Sequence, residues 1–124
     1  MAEKSIEERK LRAQKATSLE ELEILAKDDG SDVRYFVAKN ENTPVPVLEK
    51  LAEDKEVIVR QCVAENENTP VELMEKLAQD KDYDVRYSVT VNPNTPFSLQ
   101  EKLMEDLVED KDEDVRKDKK LITT

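Results

Sequence analysis

The chain has 124 residues, 40% of them charged and 37% hydrophobic, with one Gly, no Trp, no His and a net charge of −10. That length suffices for one continuous core, and the scarcity of Gly beside abundant Glu, Lys, Leu and Ala points to an all-α chain. The acidic balance argues against nucleic acid and anionic membranes as partners, and no apolar run approaches the roughly 18–20 residues of a spanning helix.

In chain order, Ser5-Ile6-Glu7-Glu8 has the form of a capping box and predicts a helix from about Ile6 to Ala16. Its apolar positions are sparse (Ile6, Leu11, Ala13 and Ala16), as suits an N-terminal capping helix with one wet face. From Thr17 the chain is periodic. Val33-Arg34, Val59-Arg60 and Val85-Arg86 step by 26 residues, and Thr17–Asn42, Thr43–Asn68 and Thr69–Asn94 align without a gap. A fourth copy begins at Thr95-Pro96 and delivers Val115-Arg116 four residues late. The expected organisation is one helical-repeat domain: the cap at 1–16, then repeats 17–42, 43–68, 69–94 and 95–124, the last closing the stack.

Each repeat predicts two helices. In the first, Thr43 or Thr69 is expected as the N-cap with Pro44 or Pro70 at the first helical position, and Thr17-Ser18-Leu19-Glu20 and Thr69-Pro70-Val71-Glu72 read as capping boxes. Val45, Leu48, Leu51 and Ala52 give the spacing of a buried stripe, repeated by Val71, Met74, Leu77 and Ala78, while Glu49-Lys50 and Glu75-Lys76 face outward. Leu25, Leu51, Leu77 and Leu103 should share one buried row. This helix is expected to end near Asp54 or Asp80. The second helix is expected to be shorter, its spacing compatible with α or in part with 3₁₀, with an apolar edge of Val33, Phe36 and Val37, of Val59, Cys62 and Val63, or of Val85, Ser88 and Val89. Ala38, Ala64 and Thr90 on its flank would let a neighbour approach closely. Asn40, Asn66 and Asn92 are expected as left-handed caps, with Pro93 barring continuation.

In the fourth copy the first helix gains about one turn, carrying its apolar face through Leu99, Leu103, Met104, Leu107 and Val108. The second half turns polar at Asp118-Lys119, so Leu107 and Val108 should lie open unless Leu121-Ile122 fold back as a lid or two chains pair there about a two-fold axis.

Written out as V-R-x-x-V-A-x-N-x-N-T-P-x-x-L-x-x-L-A, Val59–Ala78 strongly resembles the leucine-rich repeat variant family, over about residues 17–116. The resemblance implies paired short helices, α alternating with 3₁₀, stacked as a right-handed superhelical solenoid of four two-helix repeats. Some relatives carry a cysteine cluster for an iron–sulfur centre ahead of the repeats; nothing before Thr17 here is Cys, so no cofactor is expected. A second likeness is to HEAT repeats, which also place an Asp six residues before an Arg. Here the pairs are Asp28/Arg34, Asp54/Arg60, Asp80/Arg86 and Asp110/Arg116, expected as a structural ladder rather than a groove for carboxylates or phosphates.

Asp80-x-Asp82-x-Asp84 and Asp110-x-Asp112-x-Asp114 open like calcium loops, but Val85 or Val115 holds the glycine position and Val91 or Leu121 that of the final Glu, so no metal is expected. Cys62 takes the slot of Phe36 and Ser88, reads as a core residue, and has no His to activate it. A lone cysteine and the absence of an apolar leader core in Met1–Leu11 set the expected compartment as cytoplasmic. On a wheel built on Val33, Val59 and Val85, the position two residues on points about 200° away and holds Tyr35, Gln61, Tyr87 and Lys117; four residues earlier stand Ser31, Val57, Tyr83 and Glu113. Tyr35, Gln61, Tyr83 and Tyr87 are therefore the candidate partner surface. The expected function is a non-catalytic scaffold binding another protein of basic character, monomeric, with an assembly domain acting through self-association as the alternative. A HEAT-like enzyme or a chromophore-handling accessory protein is a minor alternative.

Overall fold

The computed structural model describes residues 4–108, and these are all-helical. Helix α1 spans Ile6–Lys15, α2 Leu19–Leu25, α3 Ser31–Lys39, α4 Val45–Leu51, α5 Val57–Glu65, α6 Val71–Leu77, α7 Tyr83–Val91 and α8 Phe97–Val108. Among the described residues no helix is long and apolar enough to cross a membrane. The expected tail lid at Leu121-Ile122, and Glu113 and Lys117, lie outside the described residues, as does the Val108 side chain.

Helices α3, α5 and α7 form one layer, α5 packing on α3 and α7 on α5, while α2, α4 and α6 pack chiefly against the members of that layer. Ala38 and Ala64 are wholly buried in this contact. Their carbonyls accept from Asn66 and Asn92 at the end of the next long helix. Helix α1 packs on α3 as α3 packs on α5, so the N-terminal helix occupies the place of one more member of the layer. The core runs along the seam. Leu25, Leu51, Leu77 and Leu103 are 6%, 2%, 2% and 2% exposed and sit at its centre with Val33, Val59 and Val85.

Several local expectations are corrected. The second helices are the longer ones, nine residues against seven, and they are α-helical throughout. Bonding of i→i−3 type is confined to helix ends: after the first helices, as at Glu53 N to Lys50 O and Asp54 N to Leu51 O, and at the two ends of the second, as at Val59 N to Glu56 O and Asn66 N to Val63 O.

Thr43 and Thr69 are not N-caps. Pro44 and Pro70 hold that position in extended conformation, and the threonine hydroxyls are buried and donate back to Val37 O at 2.6 Å and Val63 O at 2.5 Å. In the first repeat Ser18, not Thr17, caps α2 by accepting from Glu21 N. Starting each helix one residue late rotates its buried face, so Val47 and Leu73 are interior whereas Val45 is half-exposed and Val71 exposed. Asn40, Asn66 and Asn92 are not left-handed, having φ of −63°, −70° and −69°. Leu107, expected to be covered by the tail or a second chain or else to lie open, is buried.

Candidate partner surface and the ladders beneath it

Two polar ladders tie successive members of the long-helix layer, and a set of local bonds closes each long helix. The first uses the asparagines. Asn66 is 7% exposed, and its Nδ2 donates to Ala38 O at 2.7 Å and Asn40 O at 3.1 Å; its Oδ1 accepts from Asn68 N at 2.8 Å. Asn92 repeats this toward Ala64 O and Asn66 O, and Asn40 toward Ala13 O and Ala16 O. The amide's two donors and its acceptor are all satisfied, closing a helix terminus and bridging to its neighbour together. The threonine hydroxyls form the local set, each donating six residues back to the long helix it follows, as Thr95 does to Val89 O.

The second ladder is ionic. Arg34 Nε donates to Asp54 Oδ2 at 2.8 Å and Nη2 to Asp54 Oδ1 at 3.3 Å, while Nη1 donates to Asp28 O at 2.7 Å. Arg60 does the same with Asp80 and with Asp54 O, and Arg86 Nη1 donates to Asp80 O at 2.7 Å. Each arginine therefore takes the main chain of its own repeat, six residues back, and for Arg34 and Arg60 the carboxylate of the following one. The forks are bidentate and nearly dry, with both side chains of each pair at or below 10% exposure. The hydrogen bond to Asp54 raises the Arg34 pKa above its usual value, overcoming the opposing effect of burial. Asp110 and Arg116, the expected fourth pair, lie outside the described residues.

Sequence reasoning missed one rung. Arg9 of α1 forks onto Asp28, its Nε 2.8 Å from Oδ2. The signal was present: Arg9-x-x-x-Ala13 matches Arg34-x-x-x-Ala38, and Ala13 O is a carbonyl that Asn40 takes.

The same bonds engage the first of the two acidic runs, and the second, Asp110-x-Asp112-x-Asp114, lies outside the described residues. The Asp80 carboxylate holds Arg60 and accepts from Asp82 N, and Asp82 accepts from Asp84 N, so this acidic run caps a turn. Among the described residues no group of three or more His, Cys, Asp or Glu is placed to hold a metal ion. Cys62 is 8% exposed, and burial, with Glu65 adding to it and Lys39 opposing, pushes its thiol up to about 12. It is protonated at neutral pH and no nucleophile.

The aromatic row lies over the ladder layer. Tyr35 and Phe36 meet edge to face at 5.0 Å and both lean on the core, with Lys39 Nζ 5.4 Å from the Tyr35 ring centre. Tyr83 and Tyr87 pair at 6.0 Å between ring centres, with Tyr87 the more exposed. Gln61 is half-buried between these two groups in the 26-residue frame. Ile58 and Val91, which the sequence reading passed over, are 47% and 51% exposed on helices of the same layer.

At the far end, α7 and α8 enclose an open cleft of about 510 Å³ lined by Tyr87, Thr90, Phe97, Gln100, Glu101, Met104 and Glu105. Against known proteins, no family model matches the chain, and no curated protein and no solved structure matches it either.

Proposed function

We propose that the chain is a non-catalytic scaffold of the leucine-rich repeat variant kind, a right-handed superhelical solenoid that docks another protein of basic character on its layer of long helices. One observation carries the reading. Of the polar residues that recur at every 26-residue step, Asn40/66/92 and Arg34/60 bond from one unit to the next, and Thr43/69/95 close the long helix they follow. Of the positions that change from copy to copy, Tyr87 is exposed, Gln61, Ser31 and Tyr83 are half-buried, and Tyr35 and Val57 rest on the core while keeping an open side. Constant residues build the frame, and variable ones are free to choose a partner.

The acidic charge sets the partner's character, since steering by a −10 protein favours cationic surfaces. The test is co-purification from the native host, repeated with Tyr35→Ala and Tyr87→Ala. A partner held here loses about 30-fold or more in affinity on removal of a central tyrosine, and weakens as salt is raised. A partner indifferent to both substitutions and to salt overturns the assignment.

A further inference from the structure

The short helices carry a repeated apolar position that the stack does not bury. Leu19, Val45, Val71 and Phe97 are the first residues of α2, α4, α6 and α8, one 26-residue step apart. Among the described residues Leu19, Val71 and Phe97 are 50%, 39% and 73% exposed, and Val45 is half-buried. A single exposed aliphatic residue is ordinary, but the same position open in every repeat makes a row. A glutamate follows each by one helical turn: Glu23, Glu49, Glu75 and Glu101. Among the described residues none of these four carboxylates is in an ion pair.

The row runs through grooves between successive short helices. Val45 and Glu49 of α4 stand across from Pro70, Glu72, Leu73 and Lys76 in a groove of about 320 Å³. None of Tyr35, Gln61, Tyr83 and Tyr87 lines it. Leu73 is buried at its base, and Lys76 is the one cation among its lining residues, against two carboxylates. Charge decides the character of an occupant. Helices α2, α4 and α6 together carry six glutamates and two lysines, so this face attracts cations. Spacing decides its shape. The long helices stack in contact, which sets the step from layer to layer at ~8–10 Å. A polyproline-II segment has three residues per turn at ~3.1 Å each, so every third side chain returns to one side after ~9 Å. A wall that opens on Pro70 offers no backbone N–H there, which an added β-strand would need and a polyproline-II segment does not.

We infer that the short-helix face is a second docking surface, and that it takes an extended basic segment in polyproline-II form. One apolar side chain of the segment enters each groove, against Val45 or Val71, and a lysine or arginine beside it meets Glu49 or Glu75. This surface is separate from the tyrosine face, and neither assignment depends on the other.

The probe is a fluorescein-labelled peptide of four Leu-Lys-Ser triplets, its anisotropy followed against the full-length chain at low salt. Two control peptides keep its charge: one gathers the leucines at one end, and the other has serine in place of every leucine. The grooves require each control to bind about tenfold more weakly than the spaced probe, a comparison that needs no protein variant. Val45→Ser with Val71→Ser should weaken the probe about tenfold, with helical ellipticity at 222 nm unchanged. Glu49→Lys with Glu75→Lys should shift the preference to a Leu-Glu-Ser peptide, which a merely unfolded variant would not do. Tyr35→Ala with Tyr87→Ala should leave the probe bound. No binding, equal binding of the three peptides, or a probe indifferent to the valine and glutamate changes overturns the second surface. A probe lost on Tyr35→Ala with Tyr87→Ala overturns it too, by assigning the peptide to the long-helix layer and leaving the tyrosine face standing.

Discussion

Asn66 is the residue whose removal tests the ladders most directly. Asn66→Ala deletes two donated bonds, to Ala38 O and Asn40 O, and one accepted bond, from Asn68 N. At a net ~1 kcal/mol each, with about 1 kcal/mol more for buried groups left unsatisfied, the expected loss is ~3–4 kcal/mol. With a urea m-value of about 1.5–2 kcal/mol/M, the unfolding midpoint followed at 222 nm should fall by ~2 M. Asn66→Asp sharpens the test, because it conserves size and replaces the donating amide by an oxygen aimed at two carbonyl oxygens. At neutral pH it should be worse than alanine.

Its carboxyl, facing acceptors, should have a folded-state pKa above the usual ~3.9. The proton is then held more tightly in the folded chain, so this variant is most stable below the unfolded value and loses stability as pH rises toward the folded one. A loss below ~0.5 kcal/mol for Asn66→Ala, or an aspartate no worse than alanine at neutral pH, refutes the claim that the amides bind layer to layer.

Three further outcomes are expected. Asp80→Asn leaves the buried Arg60 fork without its anion and should cost about 3–5 kcal/mol by chemical denaturation, whereas replacing Arg60 and Asp80 together by Leu should cost clearly less than the sum of the single changes. Leu51→Ala, at 2% exposure in the central row, should cost ~2–5 kcal/mol, and a value near zero would remove that row from the core. Cys62, with its thiol pushed up to about 12, should alkylate ~10³-fold more slowly than a free thiol at pH 7 in the native chain and at the free rate in denaturant; fast native alkylation would contradict its burial.

The spacing of Leu25, Leu51, Leu77 and Leu103 made the buried row legible, because a leucine at a fixed step has few other uses. The phase of the short helices was not legible. A seven-residue helix is under two turns, so Val45 and Val47 fit an apolar stripe equally well, and the backbone at Pro44 decides between them. Asn66 was misassigned for a different reason. Its frequency at helix ends was matched to left-handed caps, although a side chain with two donors and one acceptor can instead close its own turn and bridge to the neighbouring helix. The constancy of Asn at that step beside changing neighbours was the available signal. For the arginines the six-residue spacing to Asp was visible, but it marks the main-chain bond; the carboxylate partner lies 20 residues ahead and only packing brings it near.

The placement of the ladders bears on what the chain can become. Buried Arg–Asp forks contribute less to stability than their bond count suggests, since desolvation cancels much of the attraction. They matter more for registration: a long helix shifted by one turn on its neighbour would leave a guanidinium and an asparagine amide facing apolar surface, a cost no such shift recovers. We therefore assign the forks a registry role, and it makes a distinct demand. The Arg60→Leu/Asp80→Leu chain should retain much of its stability yet show broadened amide resonances along α5 and α7, and sharp spectra would argue that apolar packing alone sets the register. If the register is fixed by side chains within the layer, the outer positions are not needed to set it. Tyr35, Gln61 and Tyr87 can then differ without disturbing the stack, and this freedom lets a single frame present a chosen surface.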